Sequence, residues 1–287
     1  MTAAASAVDG LHPLDRATRL DGDPASRRRV ATVDESYWTF IGPFGGTTAA
    51  TLVRAVLEDP DRDPDGDPIA VTVNYCAPIA KGTFDIAVRL ARSNRSSQHW
   101  TLEATQGGDG AAVATATVVT AVRRASWSHP FATAPVLADP ATLALLERPG
   151  ALAWVQRYGM RFAEGMMEPA AGGASAMHEP PRSPRSVLWL EDAPPRPLDF
   201  VSLTAMSDAF FGRIFQVIGR LPPFGTVTLT THFHAGADEL AAQGGEPLAC
   251  IADARVFHRS YGDQTAELWS RRGQLLATTA QMAYFKL

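Results

Sequence analysis

A chain of 287 residues suits two units of about 140 better than one, since single domains commonly run to about 100–200 residues. Apolar residues make up 46% and charged residues 20%, enough to build cores and too apolar for a disordered chain. The net charge of −4 leaves no electrostatic footprint for nucleic acid or an anionic membrane. In chain order, residues 1–24 are polar and aperiodic and read as a loosely attached lead. They lack a basic and apolar signal segment, so a cytoplasmic setting is expected. Residues 29–40 read as a strand with a turn, and Gly42-Pro43-Phe44-Gly45-Gly46 as a breaker cluster. The pattern predicts a helix over 47–58, stopped by Asp59-Pro60, then an acidic loop over 61–68. Four strands are predicted at 69–76, 84–93, 98–106 and 111–122. The last is nearly uncharged but far short of the ~20 residues that span a bilayer.

Residues 125–150 read as a connecting segment, and 164–186 as a Gly-, Pro-, Ala- and Ser-rich excursion. Strands are predicted at 154–163 and 186–190 on either side of it. A single helix is predicted over 199–218, with Leu203, Met206, Phe210, Phe211, Ile214, Phe215 and Ile218 on one stripe and Gly219 as its stop. Strands at 226–234, 248–257, 265–270 and 275–285 complete the chain. Both halves therefore run strand, helix, four strands. Tyr75 in VTVNYCAP overlies Phe233 in LTTHFHAG, an offset of 158 (233 − 75). Ala114 in VATATVV overlies Ala277 in LATTAQM, an offset of 163 (277 − 114), with 241–245 able to absorb the difference. Such internal symmetry predicts a duplicated α+β fold, each copy a long helix wrapped by a curved antiparallel sheet.

Several chemistries are excluded at this level. Two cysteines, Cys76 and Cys250, make no disulfide framework or cysteine zinc site, and both read as small buried hydrophobes. The 26 basic residues are all Arg except Lys81 and Lys286, which leaves lysine mechanisms few candidates. GxxxxGK[ST], GxGxxG, GxSxG and HExxH are absent, which disfavours phosphoryl transfer, dinucleotide redox, serine-elbow hydrolysis and zincin chemistry. His232 and His234 share a strand face, but no third ligand lies at a useful spacing, so no metal is expected. No cofactor is implied.

Phe44-Gly45-Gly46 opening a helix, followed by VTVNYCAPIAKG, resembles the first half of the double-hotdog acyl-CoA thioesterases of the thioesterase II type. Ser207-Asp208, then TVTLTTHFH, then LLATTAQMAYF resemble the second half, so the likeness spans about residues 28–287. It implies tandem hotdog units at 28–124 and 151–287 joined by a linker at 125–150. It also implies a side-chain triad that positions water against a thioester carbonyl. The family's Asp falls on Asp208, its Thr on Thr226 and its Gln on Gln281. Thr228 and Thr230 share a strand face with Thr226 by period-two alternation, which leaves the threonine assignment open. The first half carries Ala50 opposite Asp208 and Val118 opposite Gln281, so one of the two pseudo-equivalent sites is equipped. Acyl-CoA is the implied substrate; a carrier-protein thioester and a homo-oligomer stay open.

The residue types suit this chemistry. A carboxylate among apolar neighbours such as Phe210 and Phe211 has a raised pKa and accepts a proton from water. Thr226 and Gln281 supply donors and acceptors to hold that water. The helix N-terminus after Gly45-Gly46 offers free N–H groups to a developing oxyanion, and glycine admits close approach. Each residue also has a plainer reading. Asp208 can serve as a helix-start residue, Gln281 as a satisfied core amide, Thr226 as a β-former and the glycines as a turn. Arg27-Arg28-Arg29 can meet coenzyme A phosphates or form a solvated run, and Met166, Met167 and Met177 can line an acyl entrance or sit in a loose loop. A hotdog hydratase is disfavoured because the segments 47–58 and 199–218 contain no His. A non-catalytic acyl-ligand binder is the remaining competitor.

Overall fold

The computed structural model describes residues 10–108, 110–147, 150, 152–173 and 175–287. The first half contains α1 (Pro13–Ala17), β1 (Leu20–Asp21), β2 (Arg28–Thr32), α2 (Gly45–Leu57), β3 (Gly66–Tyr75), β4 (Thr83–Ser93), β5 (Ser97–Thr105) and β6 (Ala112–Val122). The second contains β7 (Tyr158–Glu164), β8 (Ser186–Asp192), α3 (Phe200–Met206), α4 (Arg213–Ile218), β9 (Phe224–Phe233) and α5 (Ala237–Gln243). It ends with β10 (Leu248–Asp253), β11 (Phe257–His258), β12 (Tyr261–Trp269) and β13 (Leu275–Phe285). The thirteen strands of the described residues join one antiparallel sheet in the order β1-β2-β4-β5-β6-β3-β9-β13-β12-β10-β8-β7, with β11 beside β12. Helices α2 and α3 pack on each other and against the sheet, giving an α+β double hotdog.

The seam between the halves is self-complementary. Across β3 and β9, Val71 pairs with Thr231, Thr72 with Thr230 and Val73 with Leu229. Shifting either outer pair by the 158-residue offset returns the other, so a pseudo-twofold axis passes through Thr72 and Thr230. Their hydroxyls meet there at 3.0 Å. The flanking ladders repeat in step: Tyr75 pairs with Ala114 in one half and Phe233 with Ala277 in the other. Val71, Val73 and Leu229 are fully buried on the helix side of this seam, so a one-residue slip would turn the whole apolar set toward solvent.

The core follows from helix composition. In α2, Ala49, Ala50, Leu52, Val53, Ala55 and Val56 are all buried, and Asp59-Pro60 removes the donor needed for another turn. Helix α2 packs on α3 at very short range. A Cβ on Gly46 would stand 2.5 Å from the Ala205 carbonyl oxygen and 2.5 Å from the Phe44 ring. Only glycine permits this crossing.

The structure departs from the sequence reading in several places. The helix expected over 199–218 is broken into α3 and α4 by a non-helical segment at 207–212. Ser207 Oγ bonds the Thr204 carbonyl, the Phe210 N–H turns back to the Asp208 carbonyl, and Gly212 starts the next helix. Residues 10–24 of the expected lead are packed: Leu14 is fully buried, and Asp15 pairs with Arg54 and Arg196. Arg29, expected in a solvated run, is buried and pairs with Glu58, while Arg27 pairs with Asp61. Residues 237–243 form a helix where only slack was expected, and 154–163 begins as a 3-10 turn before strand β7. Cys250 is buried as expected, whereas Cys76 is exposed because β3 ends one residue before it and the strand alternation stops.

The short crossing of α2 over α3 gives a direct test. Gly46→Ala should lower stability by about 1–3 kcal/mol, as overpacking does in a closed core. Chemical denaturation would read this as a fall in midpoint at unchanged slope; an unshifted midpoint would contradict the close approach.

Candidate active site

The break between α3 and α4 sets Asp208 against the N-terminus of α2. The Gln281 side-chain N–H donates to Asp208 Oδ1 at 2.8 Å, and the Gly46 backbone N–H also hydrogen-bonds this carboxylate. A Cβ on Gly45 would lie 2.8 Å from Asp208 Oδ2, so the first residue of α2 faces the carboxylate at contact distance. Thr226 Oγ donates to Gln281 Oε1 at 3.4 Å, completing a chain Thr226–Gln281–Asp208. All three predicted polar residues therefore meet, and both glycines stand beside them.

A bulge selects the threonine. Gln281 pairs with Leu229 and Met282 with Thr228, but Ala283 pairs with Thr226, leaving Val227 as an extra residue in β9. Beyond that point the strand phase is reversed. Thr226 comes to the same face as Gln281 and Ala283, which are buried, while Thr228 keeps the opposite face beside Met282. The alternation that gave Thr226, Thr228 and Thr230 a common face is interrupted between the first two. Thr230 lies at the seam with Thr72.

Asp208 is buried at 7% exposure. Loss of solvation pushes its pKa up to about 7, against the downward pull of the Gln281 and Gly46 hydrogen bonds. The surroundings are those of a cavity of about 860 Å3. Its apolar walls include Phe44, Trp154, Phe210, Phe211, Phe215 and Met167, with the Phe44 and Trp154 rings stacked at 4.6 Å and 3°. Phe40, Ile41 and Leu221 form an exposed rim. Among the described residues Asp208 is the one charged lining side chain, and none of Arg27, Arg28 and Arg29 is in the lining. Of the three methionines noted above, Met167 lines it; Met166 and Met177 face solvent.

Tyr75 is a site residue that the sequence marked only as a repeat landmark. It lines the cavity and donates its hydroxyl proton to the Gly45 carbonyl at 2.8 Å. Burial, with the Asp208 charge close by, holds its phenol well above the usual tyrosine range, so it remains a neutral donor. Its position at the last residue of β3, facing a glycine-opened helix, was the available signal. His232 and His234 lie elsewhere: His232 is exposed, and His234 meets Thr278 Oγ at 3.0 Å. Among the described residues no group of three or more His, Cys, Asp or Glu is placed to hold a metal.

The acyl-CoA thioesterase N-terminal domain family matches residues 34–121, and the acyl-CoA thioesterase C-terminal domain family matches 133–285. The chain belongs to the acyl-CoA thioesterase family. A hotdog-fold protein of unknown function from Alicyclobacillus acidocaldarius is 39% identical, with 96% of this chain and 99% of that one covered and a TM-score of 0.88. An acyl-CoA thioesterase II from Mycobacterium marinum is 16% identical, with 95% and 98% covered and a TM-score of 0.72, a likeness of fold. No curated protein matches the chain in sequence.

The raised Asp208 pKa has a consequence for stability. The folded state holds this proton to about pH 7, whereas an unfolded Asp releases it near pH 4, so stability falls as pH rises between the two. That difference corresponds to a penalty on the order of 4 kcal/mol above pH 7. Asp208→Asn, which keeps the shape and carries no charge, should therefore melt above the unsubstituted protein at pH 8. The gap should narrow steadily toward pH 5. A pH-independent difference in thermal midpoint would contradict the charged, desolvated carboxylate.

Proposed function

We propose that the protein hydrolyses the thioester of acyl-CoA, with Asp208 as general base. The observation that carries this reading is a carboxylate titrating near neutrality, hydrogen-bonded to Gln281, at the wall of a large apolar cavity. Such a group is deprotonated often enough to take a proton from water and basic enough to do so efficiently. Gln281 fixes Asp208 through its amide N–H, while Thr226 donates to the amide oxygen and so sets the amide's orientation. The second amide proton of Gln281 remains available to the attacking water.

The reaction balances over these groups. Water attacks the thioester carbonyl carbon as its proton passes to Asp208, forming a C–O bond and an oxyanion. The C–S bond then breaks, and the proton held by Asp208 goes to the departing thiolate. Because Gly46 already serves Asp208, the oxyanion role falls to the N–H of Gly45, the first residue of α2, where the backbone donors have no helical acceptor. The oxyanion develops as Asp208 becomes neutral, so two negative charges never face each other. Tyr75 holds the Gly45 carbonyl and thereby the direction of that peptide. The acyl group occupies the apolar end among Phe210, Phe211 and Phe215, with the thiol carrier leaving past the Phe40–Ile41 rim.

Purified protein offered acyl-CoAs of two to sixteen carbons, with a chromogenic thiol reagent, should release free thiol. The rate constant kcat should rise with pH as a single ionisation with its midpoint near 7. Asp208→Asn should lower it about 10³-fold at pH 8, within the range of general-base contributions. Gln281→Leu should cost about 10–100-fold, and Thr226→Val less than either, because its bond is the longest of the set. No thiol release from any acyl-CoA by folded protein would contradict the proposal. The same acyl groups on a carrier protein would show whether that carrier is also accepted.

A further inference from the structure

The excursion between β7 and β8 contributes Met167 and Pro169 to the wall of the cavity. The base of this excursion is pinched shut. Gly165 has φ +68, and a Cβ there would lie 2.0 Å from the Arg185 carbonyl oxygen. The excursion feeds N–H groups to the carbonyls at the C-terminal end of α4: Ala170 to Gly219, His178 to Ile218 and Arg182 to Val217.

Arg213, at the start of α4, ties this excursion to the segment that carries Asp208. It is 2% exposed, and among the described residues no carboxylate lies within ion-pairing distance of it. Its guanidinium donates on one side to the Phe211 carbonyl, from Nε at 2.9 Å and from Nη2 at 2.5 Å. On the other side Nη1 donates to Ser186 Oγ at 2.6 Å, Gln216 Oε1 at 3.1 Å and the Pro184 carbonyl at 3.3 Å. Gln216 extends the grip, donating to the carbonyls of Ser183 and Arg185, each at 2.7 Å. A buried cation with no carboxylate in hydrogen-bond contact, and only the charge of Asp253 acting on it from further off, is expensive, and these oxygens repay it only if both sides stay where they are. Burial lowers the Arg213 pKa to about 10, which still leaves it charged at neutral pH.

We infer that Arg213, seconded by Gln216, is a positioning residue that sets the acyl-chain length the cavity accepts. It does so by holding Phe211, on one wall, against Ser186, whose hydroxyl also donates to the Gly165 carbonyl at 2.6 Å, two residues before Met167 on the other wall. This rests on the acyl-thioester reading of the site. Arg213 touches neither Asp208 nor Gln281 directly. A short acyl group reaches only the polar end, whereas a long one must pass between the two walls that the guanidinium joins. Lysine cannot replace it, because a single ammonium cannot serve both the Phe211 carbonyl and the Ser186–Gln216 side at once.

The test uses S-alkyl-CoA thioethers, which cannot be hydrolysed, with ethyl, octyl and hexadecyl chains, measured by isothermal calorimetry on the whole protein. Arg213→Lys and Gln216→Leu are compared with the unsubstituted chain after thermal melts confirm folding; should the first fail to fold, the second carries the measurement. The expected result is a loss of affinity that grows with chain length, within about twofold for ethyl-CoA and at least tenfold for hexadecyl-CoA. Equal losses at all lengths, or none at any, would overturn the inference while leaving the hydrolase reading standing. Absence of binding to the unsubstituted protein would overturn both. A length-dependent loss in a protein that releases no thiol from acyl-CoA would support the clamp and reject hydrolysis.

Discussion

A carboxylate removed from water keeps its charge only where hydrogen-bond donors replace the solvent, and for Asp208 those donors come from opposite halves of the chain. The Gly46 N–H belongs to the helix of the first half, and the Gln281 amide to the last strand of the second. This meeting requires α2 and α3 to cross with no side chain between them at Gly46 and Ala205. It also requires the second helix to break at 207–212, so that the carboxylate turns toward the partner helix. The two requirements are linked. A continuous helix would carry Asp208 along its own axis, and a bulkier residue at 46 would hold the helices apart.

The seam of the sheet provides the frame for this. Pairing of β3 with β9 about Thr72 and Thr230 places the two helices side by side against one sheet rather than in separate domains. A duplicated fold built this way has two pseudo-equivalent helix starts, and the chain has specialised them differently. The first half contributes an open N-terminus and Tyr75; the second contributes the ionisable and amide groups. Val118, which occupies the Gln281 position in the first half, is fully buried and pairs with Val71 as Gln281 pairs with Leu229. One polar site and one apolar packing site result from the same geometry.

Much of this was legible in residue order. The offsets of 158 and 163 that match Tyr75 to Phe233 and Ala114 to Ala277 are the ones the strand ladders repeat. Asp208 and Gln281 stood out as polar residues in apolar stretches, and they are in hydrogen-bond contact. What remained hidden had physical reasons. The break in the second helix left no mark on the periodicity because α3 and α4 are buried on every side, so the stripe has no polar face to define its phase. The choice among Thr226, Thr228 and Thr230 depended on a bulge at Val227, and a bulge inverts alternation without altering composition. The packed helix α1 was missed because five helical residues are too few to show a period. Nothing in the sequence set Arg213 apart, since burial of its guanidinium depends on the excursion before β8 being brought over it.

The central claim is that Asp208 titrates near neutrality because it is desolvated and held by donors from both halves. Carbon-13 detected NMR of the protein labelled at the aspartate carboxyl carbons reads that ionisation directly, without substrate. One resonance should titrate with a midpoint near 7 and be absent from the Asp208→Asn protein. If the resonance lost in that variant instead titrates below about pH 5, the carboxylate is solvated and the account fails.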